Sequence, residues 1–390
     1  MTTAAEHMRH MSDPEGMLLA QAALLDGDPA IQAWRQWSAL GYSIEHLDYG
    51  SYRLCALVFR NLTAAGVDDE RLATLKGVFR HAWYANQRLL HASALALRSL
   101  EAAGVPTMLL KGAALVADDP SLAGVRPMDD VDLLVPDDRL RDAVRVLGEV
   151  GWRARDTRPL DVVTNRFHST EFRHPDGPEI DLHWRPFVRG CSDEELWRDA
   201  HPVQLAGAPT LAPSAADQLV LSCLHGLGWD PAPLRWIVDA MLIMRGAGED
   251  LDWEAVLRRA RIWNDVRALR DALTVLAHDF DAPVPSRVLA ELQHLPLAPL
   301  DAFLHRVKVA PMRTGFGWEV FWRAISRLDL ARRPGASGPF GHGRVSVALA
   351  DLRVDLGAPT VPAAIGALAR RFGQLLLDPQ RAHAQWFKEL

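Results

Sequence analysis

The sequence predicts an α+β protein: a small mixed β-sheet core flanked by N- and C-terminal helical regions. Helical hydrophobic spacing runs from about residue 14 to 103 and returns from 215. Between them, to about 184, lie short apolar runs separated by turn residues, the pattern of strands. The resulting division is an N-terminal helical region (1–103), a core (104–190), a helical domain (191–333), and a linker with a C-terminal segment (334–390).

In the first region, helices are expected over 17–25, 31–40, 54–62 and 72–100. The last carries Leu89, Leu90, Leu97 and Leu100 at helical spacings, with Arg88, His91 and Arg98 between them. Gly104 is placed just past its end, and Pro106 prevents continuation. Trp34 and Trp37 are read as packing residues.

The core opens with a buried strand over 105–110 that ends at Lys111-Gly112, followed by a helix directly after the glycine. The free N–H groups of a helix start make such a turn a phosphate site; a plain strand-to-helix turn with a solvated lysine is the alternative. A polar connection, 118–127, leads to a strand over 131–135 that stops at Pro136. Asp137 or Asp138 caps the next helix, which carries Leu140, Val144 and Leu147 and closes at Gly148 and Gly151. Strands over 167–172 and 179–184 flank the turn Pro175-Asp176-Gly177. Beyond Pro186 the chain reads as helical: 215–227, 234–242, 251–262 and 266–280. Frequent prolines follow, then a Gly/Pro-rich flexible connection at 334–343 and a helix at 363–377.

Of the 390 residues, 49% are hydrophobic and 24% charged, as in ordinary globular proteins with more than one domain. The net charge of −6 disfavours a long nucleic acid as partner but leaves nucleotides open. Cys55, Cys191 and Cys223 are too scattered for a disulfide framework or a cysteine-rich zinc site. No secretory signal and no long charge-free apolar run is present, so no membrane span and a cytoplasmic location are expected.

The chemistry centres on Asp130 and Asp132, two residues apart in an apolar run. On a strand they share a face, where two carboxylates repel unless a cation or proton lies between them. Asp181, in a second apolar strand, supplies a third acid. Two-metal nucleotidyl transfer needs such a set, holding ions about 3.5–4 Å apart. The alternative is a charged strand edge that discourages aggregation. His183 shares a face with Asp181 and would touch substrate or orient the acid. His168 is read as structural, and His225 as a hydrogen-bonded core histidine. Asp239 lies four residues after Arg235, so a surface ion pair explains both. Trp184, Trp229 and Trp236 could form a base-stacking wall, with core packing as the default.

Three motifs together carry a resemblance: Leu109-Leu110-Lys111-Gly112-Ala113-Ala114-Leu115, Arg126-Pro127-Met128-Asp129-Asp130-Val131-Asp132, and Ile180-Asp181-Leu182-His183-Trp184. With Cys223-Leu224-His225-Gly226 and the run Leu234 to Asp239, the chain over about 40–290 resembles the uncharacterised bacterial nucleotidyltransferases labelled NTP_transf_5, in the DNA polymerase β-like superfamily. The resemblance implies that Asp130, Asp132 and Asp181 are the metal-binding catalytic acids. It also implies that Gly112 is the glycine of the phosphate turn, with Lys111 and Arg126 as the basic residues beside it. It makes Arg235 and Asp239 candidates for nucleotide or substrate contact. Two departures stand out: Ala113 replaces the usual Ser or Gly of the turn, and Asp129 adds an acid beside the pair.

The expected function is transfer of a nucleoside monophosphate from a triphosphate such as ATP to a hydroxyl, with release of pyrophosphate. Magnesium is the expected ion, with manganese as an alternative. The acceptor is open among a small molecule, a peptide, a protein and an RNA end. The competing readings are a catalytically degenerate binding or regulatory module, favoured by Ala113 and Asp129, and a DxD glycosyltransferase.

Overall fold

The computed structural model describes residues 14–164, 167–186, 193–226, 234–263 and 266–295, together with 360, 362, 363 and 366. The connection at 334–343, most of the expected helix at 363–377, Cys191 and Trp229 lie outside the described residues. Helices α1 (Pro14–Leu24), α2 (Asp28–Ala39), α3 (Tyr49–Tyr52), α4 (Cys55–Ala64) and α5 (Leu72–Ala102) come first. On α5 the leucines read from the sequence are buried, while Arg88, His91 and Arg98 are exposed. Trp34 and Trp37 stack at 5.0 Å in the core. Gly104 takes φ 67° where α5 ends, as its position implied.

The described strands form one mixed sheet in the order β3-β4-β5-β2-β1-β7-β6. They are β1 (Met108–Leu109), β2 (Asp130–Leu134), β3 (Arg153–Ala154), β4 (Ser169–Arg173), β5 (Glu179–His183), β6 (His201–Leu205) and β7 (Ala208–Ala212). The remaining helices are α6 (Lys111–Asp118), α7 (Leu140–Glu149), α8 (Leu160–Thr164), α9 (Glu194–Arg198), α10 (Ala215–Gly226), α11 (Arg235–Ala247), α12 (Trp253–Ile262), α13 (Val266–Asp279) and α14 (Ser286–His294). The fold is thus α+β, a mixed sheet flanked by helical regions. α5 packs against β2, β6 and β7, and α11 against α10, α6 and α1.

Several local expectations change. The strand at 105–110 keeps only two ladder residues, because Pro106 lacks a donor and the backbone turns left-handed at Lys111 (φ 51°). Leu110 still donates to Asp132 O at 2.9 Å, which holds the strand end to β2. α6 starts at Lys111, so Gly112 lies inside it rather than before it. The polar connection at 118–127 contains a 3₁₀ turn, Pro120–Gly124, with Leu122 and Ala123 buried. Gly148 belongs to α7, and Gly151 (φ 95°) ends it.

The stretch after 186 holds a β-hairpin where helices were expected. Pro202 and Pro209 obscure it, since proline reads as a strand breaker and is tolerated chiefly at sheet edges. Its turn, Ala206-Gly207, has φ of 46° and 76°, the paired left-handed conformation for which Asn-Gly would be the legible signal.

Asn86 fixes the segment that delivers β2. Fully buried on α5, its amide donates to Ala123 O (2.7 Å) and Arg126 O (2.9 Å) and accepts from Met128 N (3.0 Å). Cys55 and Cys223 are buried free thiols, and burial pushes the Cys55 thiol up to about 12. Among the described residues, no helix is long and apolar enough to cross a membrane.

Candidate active site

Alternation along β2 turns Val131 and Leu133 to the interior, 1% and 0% exposed, and sets Asp130 and Asp132 on the other face. β5 runs parallel beside it with Asp132 opposite Asp181 and Leu134 opposite His183. Because both strands have the two-residue period, one register brings Asp130, Asp132, Asp181 and His183 onto a single face. β4 lies on the far side of β5, with Glu171 opposite Asp181.

His183 is fully buried, and its Nε2 lies 3.0 Å from both Asp132 Oδ1 and Asp181 Oδ2. Its Nδ1 is 3.2 Å from the Arg185 carbonyl oxygen. Burial opposes the imidazolium, but the hydrogen bonds to Asp132 and then Asp181 outweigh it and raise the pKa to about 9. His183 therefore binds both acids, not Asp181 alone. The His168 and His183 ring centroids stand 5.2 Å apart in an edge-to-face arrangement, and burial lowers the His168 pKa to about 3.

The carboxyls of the strip differ sharply. Burial and the neighbouring charge of Asp132 raise Asp130 to about 6, against the pull of Lys111. Asp132 is held far below the usual carboxylate range, because Lys111 and then His183 outweigh its burial. Lys111 Nζ sits 2.5 Å from Asp132 Oδ1. For Asp181 the hydrogen bond from His183 outweighs burial and lowers the pKa. Its Oδ1 is buried and accepts from no described residue. One ligand atom each from Asp132, Asp181 and His183 fall within 4.8 Å of one another.

The basic residues split into two kinds. Arg126 is buried, with Nε 3.0 Å and Nη2 2.7 Å from the two oxygens of Asp239. Asp239 is likewise buried, so the surface pair with Arg235 is corrected: its partner is Arg126, 113 residues away. Gly112 is required here by close approach, since a Cβ would lie 2.0 Å from Arg126 Nη1. Arg235, the first residue of α11, is partly buried and has no hydrogen bond or ion pair among the described residues. Burial and then Arg126 and Arg53 lower its pKa to about 10.

Asp129, the surplus acid, accepts from Arg53 Nη1 at 2.5 Å and from the Tyr49 hydroxyl at 2.5 Å. It ties the start of β2 to α3 and the residue after it. Tyr49, Arg53 and Asn86 were not singled out in the sequence, and only the buried position of Asn86 within an apolar helix face gave a signal. His225, near the end of α10, is half-buried with its pKa lowered to about 3 by burial and by Lys111, which puts it near the site. Trp184 and Trp236 are core residues, 0% and 6% exposed, which takes them out of a stacking wall.

The family described as uncharacterised nucleotidyltransferase matches residues 51–281, well over half of the chain. No curated protein matches it. Among solved structures, ANT(2")-Ia in complex with adenylyl-2"-tobramycin is 15% identical, with a TM-score of 0.34, covering 45% of this chain and 97% of that one. A solution structure of ANT(2'')-Ia is 18% identical, with a TM-score of 0.33, covering 49% and 97%. An antigenic nucleotidyltransferase-like protein from Paracoccidioides brasiliensis is 15% identical, with a TM-score of 0.34, covering 52% and 96%. Likeness this distant decides nothing about substrate or acceptor.

Proposed function

This chain belongs to the family described as uncharacterised nucleotidyltransferase, and from that membership we propose that it transfers a nucleoside monophosphate from a triphosphate to an acceptor hydroxyl, releasing pyrophosphate. The observation that carries the reading is the β2–β5 register, which sets Asp132 against Asp181 with Asp130 on the same face. The alternative of a DxD glycosyltransferase leaves Asp181 and the Lys111-Gly112 turn without a role.

Asp130, Asp132 and Asp181 would hold a divalent cation, magnesium first and manganese second. The donor chemistry fits: hard carboxylate oxygens suit these ions, and the buried Oδ1 of Asp181 lacks a partner among the described residues. Such an ion would supply charge neutralisation at the α-phosphate and the leaving pyrophosphate. His183 would keep Asp132 and Asp181 converged by bonding to both. Lys111 and Arg235 would bind triphosphate oxygens, and the free N–H groups at the start of α6 would add to them. Arg126 and Asp239 would act as a brace behind Gly112 rather than as direct ligand contacts. Asp181, ionised and at the edge of the strip, would accept the proton of the attacking hydroxyl.

One observation favours the second reading, a degenerate nucleotide-binding module. Asp132 is already compensated by Lys111 and His183, so the acids can coexist on protein cations alone. Pyrophosphate release from each nucleoside triphosphate, with magnesium or manganese, separates the two. The catalytic reading expects turnover that falls about 10³-fold or more in Asp132→Ala and Asp181→Ala. Triphosphate binding without turnover across an acceptor panel supports the degenerate module, and no triphosphate binding with either ion overturns both.

A further inference from the structure

On the β4 side of Asp181 the surface opens into a cleft of about 500 Å³, lined by Arg155, Asp156, Arg158, Phe167, Glu171 and Asp181. We infer that this cleft is the acceptor site and that its acceptor is an uncharged, hydroxyl-rich small molecule, a sugar or polyol of one or two rings. The inference rests on the nucleotidyl-transfer reading above.

Position comes first. The sheet runs β4-β5-β2-β1, so Asp132 and Asp181 stand in the middle, with Lys111 entering from the β1 end and the cleft opening toward β4. Displacement at phosphorus places the attacking oxygen and the leaving pyrophosphate roughly in line on opposite sides. With the triphosphate on Lys111 and Arg235, the hydroxyl must approach from the other side. Asp181 is the wall that both sides share.

Charge decides the class. Arg155 Nη1 lies 2.5 Å from Glu171 Oε2, and Arg158 pairs with Asp156 through two of its nitrogens. Both cations are compensated within the wall. Among the described residues of the wall, a polyanion such as an RNA strand finds no uncompensated positive charge. Among the described lining residues a polycation finds only Asp181 in excess, and that carboxylate serves the cation and the attacking hydroxyl.

Two arginine–carboxylate pairs do present alternating donors and acceptors. A hydroxyl both donates and accepts, so neighbouring hydroxyls can bridge guanidinium and carboxylate without net charge. Arg158 lies 5.4 Å over the Phe167 ring, and Phe167 is 44% exposed, so the stacked guanidinium and ring edge together form a flat wall against which the C–H face of a sugar ring can pack. A volume near 500 Å³ accommodates one or two such rings.

The test uses the full chain with ATP and magnesium, adding in turn a panel of hexoses, disaccharides and inositol, a panel of amino acids, an aminoglycoside and a short RNA. Adduct formation is read by mass spectrometry and pyrophosphate release by coupled assay. The expected result is a nucleotidylated neutral sugar or polyol. Phe167→Ala, Arg158→Ala and Glu171→Gln should each raise the acceptor KM about 10-fold or more while the ATP KM stays within twofold. Thermal melts confirm that each variant is folded; these exposed positions permit three independent trials. Transfer only to an amino acid, a polycation or RNA overturns the acceptor class. An unchanged acceptor KM in all three variants overturns the location. If ATP does not bind at all, the nucleotidyl-transfer reading itself has failed, which is a different outcome from failure of the cleft.

Discussion

Arg126 and Arg235 both lie close to the acid strip, yet the chain treats them in opposite ways. Arg126 is buried against a bidentate partner, and its charge is stabilised because Asp239 outweighs the loss of water. Arg235 is partly buried with no acceptor among the described residues, and its pKa is lowered to about 10. Burying a guanidinium without a partner costs free energy that a folded chain has no structural reason to bear. The paired arginine braces the fold behind Gly112, and in the proposed function the one without an acceptor among the described residues takes an anion in front of the acids. Under the proposed function, identical side chains beside the same site serve stability in one case and ligand binding in the other.

Breaking the Arg126–Asp239 pair should have the largest effect. Asp239→Asn leaves a buried guanidinium uncompensated and should cost about 3–5 kcal/mol of stability, measured by denaturant unfolding. Gly112→Ala should cost a comparable amount, because its Cβ would sit 2.0 Å from Arg126 Nη1 and 2.2 Å from Cζ while Asp239 holds the guanidinium in place. A double replacement, Arg126→Met with Asp239→Leu, should recover much of the loss. If Asp239→Asn unfolds within about 1 kcal/mol of wild type, the brace assignment is wrong.

Arg235→Ala should do the reverse. Stability should hold or rise slightly, since an unpaired, partly buried charge is removed. Triphosphate kcat/KM should drop about 10²–10³-fold, the scale of a lost charge-stabilising contact at a transferring phosphoryl group. Arg235→Lys should restore only part of it, because an ammonium lacks the two-pronged geometry. Equal loss of stability in Arg235→Ala and Asp239→Asn would erase the contrast between the two arginines.

How far the sequence could reveal this contrast depended on distance along the chain. The strip itself was legible: Asp130 and Asp132 alternate with Val131 and Leu133, and Asp181 and His183 with Leu182, so strand period alone set them on one face. Asp239 was not legible as a partner of Arg126, because the i,i+4 rule offers Arg235 as its neighbour and nothing local points 113 residues upstream. The hairpin 201–212 was hidden by its prolines and by Ala206 in a left-handed turn. Lys111 was recognised as basic, but its φ of 51° was not, since side-chain identity favours the glycine beside it for that conformation.

Asn86 offers a smaller test of the same architecture. Its three hydrogen bonds hold the approach to β2 without touching the acids. Asn86→Leu should strand two carbonyls and one N–H in the interior and cost about 2–3 kcal/mol. Turnover per folded molecule should fall less than about 10-fold, since the change acts through the position of β2. A full loss of turnover in a stable Asn86→Leu protein would mean that this amide serves the site directly.

The smallest effect is expected at Asp129, one residue from the strip. Its side chain is 53% exposed and bonded to Arg53 and Tyr49, so it belongs with the paired arginine's kind of role rather than with Asp130 and Asp132. Arg53 is only 10% exposed, so this half-buried pair is worth more than a surface pair, about 1–2 kcal/mol. Asp129→Asn keeps the hydrogen-bonding shape, should change stability by less than that, and should leave turnover within about threefold. Asp130→Asn, one position further along, should cost turnover about 10²-fold or more, because it removes a charge from the face shared with Asp132. Side-by-side kinetics of the two variants decide whether the acid strip begins at 130. Comparable losses would make Asp129 part of the ion-binding set and would require Arg53, its cation, to be counted among the residues that face the nucleotide.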